Sequence, residues 1–336
     1  MFSAVKYFNK TVWFILFATF LSRFTFLMVW PFLALILHNK FGMNEFEIGS
    51  FLALAVSIGV FTSFFTGNLS DRVGRRKIII LGLILTTIAL FLLGNSDELL
   101  VILAATTLQS IARGMVEDPS RALMTDMIKT REAKDLSLQL RYFMINVGAA
   151  FGPLFGVYIG IGGKQTSFYF AAAIYLLYLL VALITFNIEK PLTKTKAGQD
   201  QSFKQLFKLL KADHAFLILV FAIFLSNLAY AQVDAGLIQY LRVDKFEDIA
   251  ILYASLLSVN GMTIIIFQFP ILKLLENVNP MRKSLYGVVL FIFGFMAFAA
   301  SSNDIRWMLF VAMFILSMGE AILFPTINIL IDRMAP

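Results

Sequence analysis

The sequence predicts an all-α, polytopic membrane protein built as a two-half helical bundle, with ten spans present of an expected twelve. Three observations lead there. Of the 336 residues, 59% are hydrophobic and only 15% charged, and mean hydropathy is +0.82, whereas a soluble domain is about half apolar and a quarter charged. Apolar runs of about 20 residues, the length that crosses a bilayer core, recur ten times. Short patterns also repeat about 200 residues apart, and repeated halves are a recurring transporter design. This composition argues against a soluble enzyme or a nucleic-acid binder despite the net charge of +7, and the absence of cysteine excludes disulfides and thiolate chemistry.

The elements follow in order. "MFSAVKYFNK" is basic and precedes an apolar run from Val12 to Leu37, too long for a signal-peptide core and so read as a retained first span. The ten spans are 12–37, 47–66, 78–94, 99–126, 138–161, 167–187, 215–241, 249–270, 284–301 and 306–331. One connection is long, and it divides the chain into an N-terminal six-helix half (1–187), a cytoplasmic central loop (188–214) and a C-terminal half with four helices (215–336). Within the loop, "SFKQLFKLLK" has apolar residues at helical spacing with lysines opposite; it is either a helix lying on the membrane surface or a solvated linker helix.

With the N-terminus inside, 20 of the 28 Lys and Arg residues fall in inside segments, Arg141 among them; 5 fall outside, and Arg23, Arg113 and Arg121 lie within spans. This fits the positive-inside rule and predicts both termini on the cytoplasmic side. "PSRALMTD" (Pro119–Asp126) ends span four and "PTINILID" (Pro325–Asp332) ends span ten, each with Pro seven residues before Asp. "FEIGSFLALAVSIG" from Phe46 is similar to "FEDIAILYASLLSVNG" from Phe246. Two spans follow Asp126 in its half and none follows Asp332, hence the expectation of twelve.

"GNLSDRVGRRK", Gly67–Lys77, is a charged knot between two oily spans. Gly74 permits a tight turn. Arg75, Arg76 and Lys77 then open span three, facing the positive end of its dipole, while Asp126 is an anion at the C-terminal end of span four. Two wrong-ended charges suit each other, which predicts an Arg75–Asp126 contact with Asp71 nearby; the alternative is that these cations only set topology and touch lipid phosphates. In span five, "GAAFGPLFG" places Gly148, Gly152 and Gly156 on one face, where they admit a neighbouring helix closely, and Pro153 removes a backbone donor, predicting a hinge.

The knot resembles the loop signature G-x-L-a-D-r-x-G-r-k of the major facilitator superfamily, through Gly67, Leu69, Asp71, Arg72, Gly74, Arg75 and Arg76, with Ser70 at a small-residue position. The span-five stretch resembles G-x-x-x-G-P-x-x-G-G of that family's drug/proton antiporter branch, with Val157 in place of the last Gly. Where the family has an arginine in span four well before the proline, this chain has Thr107, and Arg113 lies closer to Pro119. The resemblance implies a cavity lined by spans one, four, seven and ten, and an ionic latch at the knot that also meets a span eleven this chain does not reach.

Charges inside spans are costly and by default mark function. Arg113, Glu117 and Arg121 lie four apart, predicting one stripe, with Asp118 beside it. Arg23 is at matching depth in span one, predicting a pair with Glu117 or Asp118. The proton-coupling candidates are Glu117, Asp118, Asp234 and Glu320, with Glu117 first because an Arg partner could exchange with the proton. The substrate-path candidates are Arg23, Arg113, Arg121, Asn227, Gln232 and Asn260. The stripe could instead neutralise itself and only hold the bundle together. No metal-ligand cluster, nucleophile–base pair or nucleotide motif is present, so neither an enzyme nor a cofactor or metal is expected.

These readings converge on a monomeric, multi-pass inner (plasma) membrane protein working with the lipid bilayer, protons and a small-molecule substrate, without nucleic acid. The expected activity is secondary active, proton-coupled efflux of lipophilic or drug-like molecules. The alternative is a proton symporter importing a sugar, amino acid or organic anion, with Arg23 and Arg113 holding the acid.

Overall fold

The computed structural model describes residues 2–158, 164–188, 213–234, 236–243, 246, 248–275 and 277–334, and among these there is no strand. The central connection, with its "SFKQLFKLLK" stretch, lies outside the described residues. Among the described residues ten helices are long and apolar enough to cross a membrane. The helical form is dictated by the solvent: a bilayer core offers backbone N–H and C=O groups no partner, so each segment must satisfy its own.

The chain forms two compact units, Met1–Ala197 and Gly198–Pro336. The first contains α1 (Lys10–Phe41), α2 (Glu45–Val73), α3 (Arg75–Asn95), α4 (Leu99–Asp126), α5 (Arg131–Tyr158) and α6 (Ser167–Ile188). The second contains α7 (His214–Asp234), α8 (Gly236–Val243), α9 (Ile249–Leu274), α10 (Pro280–Ala299) and α11 (Trp307–Met334).

Local chemistry sets the helix ends. The Asn9 side chain accepts from Val12 N at 2.9 Å to cap α1. Asn44 and Glu47 form a reciprocal capping box at α2, with bonds of 2.8 and 2.9 Å. Asn279 caps α10 ahead of Pro280, whose missing N–H costs nothing at a first helical position.

Two boundaries differ from the sequence reading. The charged knot is not a loop: α2 runs through Gly67, Asp71 and Arg72 to Val73, and α3 starts at Arg75. Gly74 alone makes the connection, at φ +110°, a conformation L side chains rarely adopt. Span seven is not one helix either. It divides into α7 and the short α8, which begins at Gly236; glycine has the largest helix penalty after proline, and Leu237, Ile238 and Leu241 of α8 are buried.

In the first unit α1 packs on α5 and α6, α4 on α2 and α3, and α3 on α6. Its core is built from Leu16, Met28 and Leu33 of α1, Ile79 and Leu83 of α3, and Phe168 and Ala171 of α6. The glycine stripe of α5 explains how closely α5 sits on α1. A Cβ at Gly148 would come within 2.7 Å of Phe24 N, one at Gly152 would collide with Phe24 O, and one at Gly156 would lie 2.9 Å from Met28 Cγ. Helix α5 continues as helix through Pro153, and α4 through Pro119.

In the second unit α11 packs against α9 and α10, with further contacts to α7. Tyr253, Leu256 and Ile264 of α9 and Leu309, Met313 and Leu316 of α11 are fully buried.

Candidate functional site

Within the first unit, α1, α4, α5 and α6 enclose a polar pocket in an otherwise apolar bundle. Arg23, Arg113, Glu117 and Arg141 line it together with Thr19, Ser22, Ser120 and Tyr178. The four charged residues lie roughly 14–20 Å from the nearer ends of their helices, at about 1.5 Å rise per residue. Three guanidinium groups thus surround one carboxylate at the depth where an ionised side chain costs about 2.5–3.5 kcal/mol even on translocon scales.

Arg113 Nε donates to Glu117 Oε1 at 2.8 Å, an i,i+4 pair along α4. The Phe26 ring contacts two guanidiniums: that of Arg113 is 4.1 Å from its centroid and that of Arg23 is 5.5 Å away. Phe26 therefore couples the positions of α1 and α4 on this side of the pocket.

Several sequence expectations need correction. Glu117 is paired with Arg113, not Arg23, and Asp118 is paired with Arg121 at 3.7 Å. The proposed stripe of Arg113, Glu117 and Arg121 does not stay in line, because each four-residue step turns about 40° around the helix and two steps turn about 80°. Arg121 and Asp118 consequently sit on a half-exposed face outside the pocket. Arg141, counted among the cations that set topology, is ten residues into α5 and lines the pocket.

The second unit has its own polar focus. Asn260 Nδ2 on α9 lies 2.9 Å from Ser317 Oγ and 2.6 Å from Glu320 Oε2 on α11, all three residues being buried. Two candidates assigned to different roles, Asn260 and Glu320, thus form one cluster. Asn227 and Gln232 lie on an exposed face of α7 and bond back to the carbonyls of Ile223 and Leu228. Asp234 ends α7; its side chain lies outside the described residues.

At the α2–α3 junction, Arg75 Nε donates to Asp71 Oδ1 at 3.1 Å and Arg75 Nη1 pairs with Asp126 of α4. Neighbouring Arg76 donates to the Phe186 carbonyl and stacks 5.8 Å from its ring, joining α3 to α6. Arg72 is exposed, and Gly67 has open space around it.

Residues 15–336 match the family profile of the Major Facilitator Superfamily. The chain belongs to the Major Facilitator Superfamily. Among its relatives, an uncharacterized MFS-type transporter of Bacillus subtilis (strain 168), YqjV, is 26% identical over 324 residues, covering 96% of this chain and 78% of that protein. The multidrug resistance protein MdtG of Proteus mirabilis (strain HI4320) is 24% identical, covering 96% and 81%. A Na(+), Li(+), K(+)/H(+) antiporter of Planococcus maritimus is 24% identical, covering 99% and 84%. The crystal structure of nucleoside transporter NupG shares the fold, with a TM-score of 0.72 at 14% identity over 97% of this chain and 83% of that one.

As a superfamily member the protein is a multi-pass membrane transporter of the secondary type. Sequence reasoning named none of the hydroxyl residues lining the pocket, and the charged pocket residue it missed is Arg141. Its signal was present: it lies inside the predicted fifth span, seven residues before Gly148 on the glycine-bearing helix. Its proximity to the basic segment at 129–134 made it resemble a topology cation.

Proposed function

We propose that the protein exports small amphipathic molecules in exchange for protons, by alternating access of its two compact units, with Glu117 as the coupling carboxylate. The observation that carries this reading is the Arg113–Glu117 pair inside a polar pocket at membrane depth. A carboxylate held by a guanidinium has two states to exchange: paired and ionised, or protonated with its partner released. Release of Arg113 on protonation ties the charge and geometry of the site to its proton load, so its two states hold cargo differently, which coupling requires. The names of two relatives, a multidrug resistance protein and a cation/proton antiporter, support the drug/proton branch. Asn260 and Glu320 provide a second buried acid in the other half. The Asp71–Arg75–Asp126 cluster serves as a cytoplasmic latch, Pro153 with its flanking glycines as the adjustable contact between α5 and α1, and both termini are cytoplasmic.

The test uses proteoliposomes loaded with a pH-sensitive dye and given small aromatic acids, amides and amines, read against protein-free vesicles. A transported compound entering by antiport drives protons out and alkalinises the lumen. Glu117→Gln is expected to abolish that signal while compounds still bind. Acidification of the lumen would replace export by proton symport, and an undiminished signal in Glu117→Gln would remove this residue from coupling.

A further inference from the structure

We propose that this pocket takes an organic anion, binding the carboxylate or equivalent monoanionic group of its cargo through Arg23 and Arg141 while the apolar body lies against the surrounding aromatic and aliphatic side chains. The inference rests on the reading of the pocket as the transport site and adds the chemical class of what it carries.

Arg23, Arg113 and Arg141 line the pocket against a single carboxylate, Glu117. That carboxylate is engaged by Arg113 at 2.8 Å. The other acid on this stretch of α4, Asp118, faces away and is held by Arg121. Two guanidiniums therefore remain without an ion-pair contact among the described residues, Glu117 reaching them only through longer-range attraction. Neither Arg23 nor Arg141 makes a hydrogen bond or ion pair with the described residues, and the Nε atoms of both are buried and unpartnered. A guanidinium carries five N–H donors and no acceptor, and buried donors in folded proteins are nearly always satisfied. Two such groups, brought to one pocket by different helices, form a site complementary to an acceptor-only ligand.

The surroundings narrow the ligand further. Arg23 is braced rather than loose: its Cβ packs where Gly148 of α5 lacks a side chain, and its guanidinium sits 5.5 Å from the Phe26 ring. Arg141 comes from that same tightly seated helix, so the glycine stripe fixes the relative position of the two cations. Thr19, Ser22 and Tyr178 add hydroxyls, and Val116 and Ile145 supply apolar wall. Planar forked donors suit carboxylates and similar oxyanions better than they suit halide-like point charges. A cationic cargo would face an uncompensated positive pocket, which disfavours it by like-charge repulsion. The roles of the arginines thus separate: Arg113 regulates Glu117, and Arg23 with Arg141 holds cargo.

The experiment is equilibrium binding to the purified full chain in detergent at neutral pH, by calorimetry, with three probes of one shape: 2-naphthoate, 2-naphthamide and 2-naphthylmethylammonium. Naphthoate is expected to bind at least about tenfold tighter than the amide, and the ammonium weakest. Arg23→Gln and Arg141→Gln are each expected to narrow the naphthoate-over-naphthamide preference by about tenfold, and the Lys variants to keep part of it. Equal affinity for the three probes, preference for the ammonium, or no naphthoate binding at millimolar concentration would overturn the proposal. So would a preference that survives both Gln variants. If a variant does not elute as a monodisperse species, the wild-type ranking still decides. The measurement uses no proton gradient, so failure of coupling in Glu117→Gln vesicles and failure of anion preference here are separate results.

Discussion

Arg75 illustrates how a single side chain can be placed against local preference and held there. A cation at a helix start faces the positive end of the dipole, at a cost of about 0.3–1 kcal/mol, and Asp126 has the converse problem at the end of α4. The two side chains are only 14% and 22% exposed, and Asp71 adds a second acceptor. Exposed pairs contribute about 0–1 kcal/mol, but loss of one partner here leaves the other partly buried and unmatched. Arg75→Gln and Asp126→Asn are each expected to lower stability by roughly 1–3 kcal/mol. The double variant should lose less than the sum, with a coupling energy of at least about 0.5 kcal/mol, measured by thermal unfolding in detergent. Strict additivity would reduce both residues to topology markers. A charge that breaks an end rule is readable from sequence, because helix ends are local. Arg141 was harder to read: its place inside the fifth span was visible, but its role arises only when α5 is pressed onto α1, and the basic segment just before it masks that.

At the scale of the helix, identical-looking glycines do different work. Gly67 and Gly74 both belong to the charged knot, and Gly152 belongs to the span-five motif. Gly67 is inside α2, and a methyl added there would meet nothing within 4 Å, so only its backbone entropy matters. Gly67→Ala is expected to raise stability by about 0.5–1 kcal/mol. Gly74→Ala should lower it, since φ is +110°. Gly152→Ala drives a methyl into the Phe24 carbonyl of α1 and should cost about 1–3 kcal/mol. Unfolding midpoints of the three variants, compared in one detergent, check the order; equal midpoints would mean that the α1–α5 contact is not close-packed. The ten apolar segments were legible because membrane length and composition fix them. Breaks within them were less so. The division of span seven at Gly236 turns on one residue's helix penalty, and α2 continues as helix through polar residues to Val73; hydropathy records neither.

For the whole molecule, the sign of the cargo decides the energetics of transport. The membrane potential acts on each moving charge with about 2.3 kcal/mol per 100 mV. A monoanion leaving in exchange for an entering proton moves net positive charge inward twice over, so an inside-negative potential and a proton gradient both drive export. A monocation exchanged one-for-one with a proton moves no net charge, and neither does a monoanion entering with one proton. Anion-for-proton export therefore separates from the two electroneutral readings in one measurement: initial naphthoate flux in proteoliposomes holding a potassium diffusion potential set with valinomycin. Export of an anion through the arginine pocket is expected to accelerate several-fold when the cargo side is made negative and to slow when the polarity is reversed. Flux indifferent to the potential would fit one-proton symport and would turn the transport direction around, while leaving Arg23 and Arg141 as the groups that hold the anion. Flux that rises when the cargo side is made positive would mean that each anion moves with more than one proton, which likewise replaces antiport by symport. The two arginines without an ion-pair contact among the described residues at membrane depth thus bear on the driving force of the entire cycle as well as on what one pocket binds.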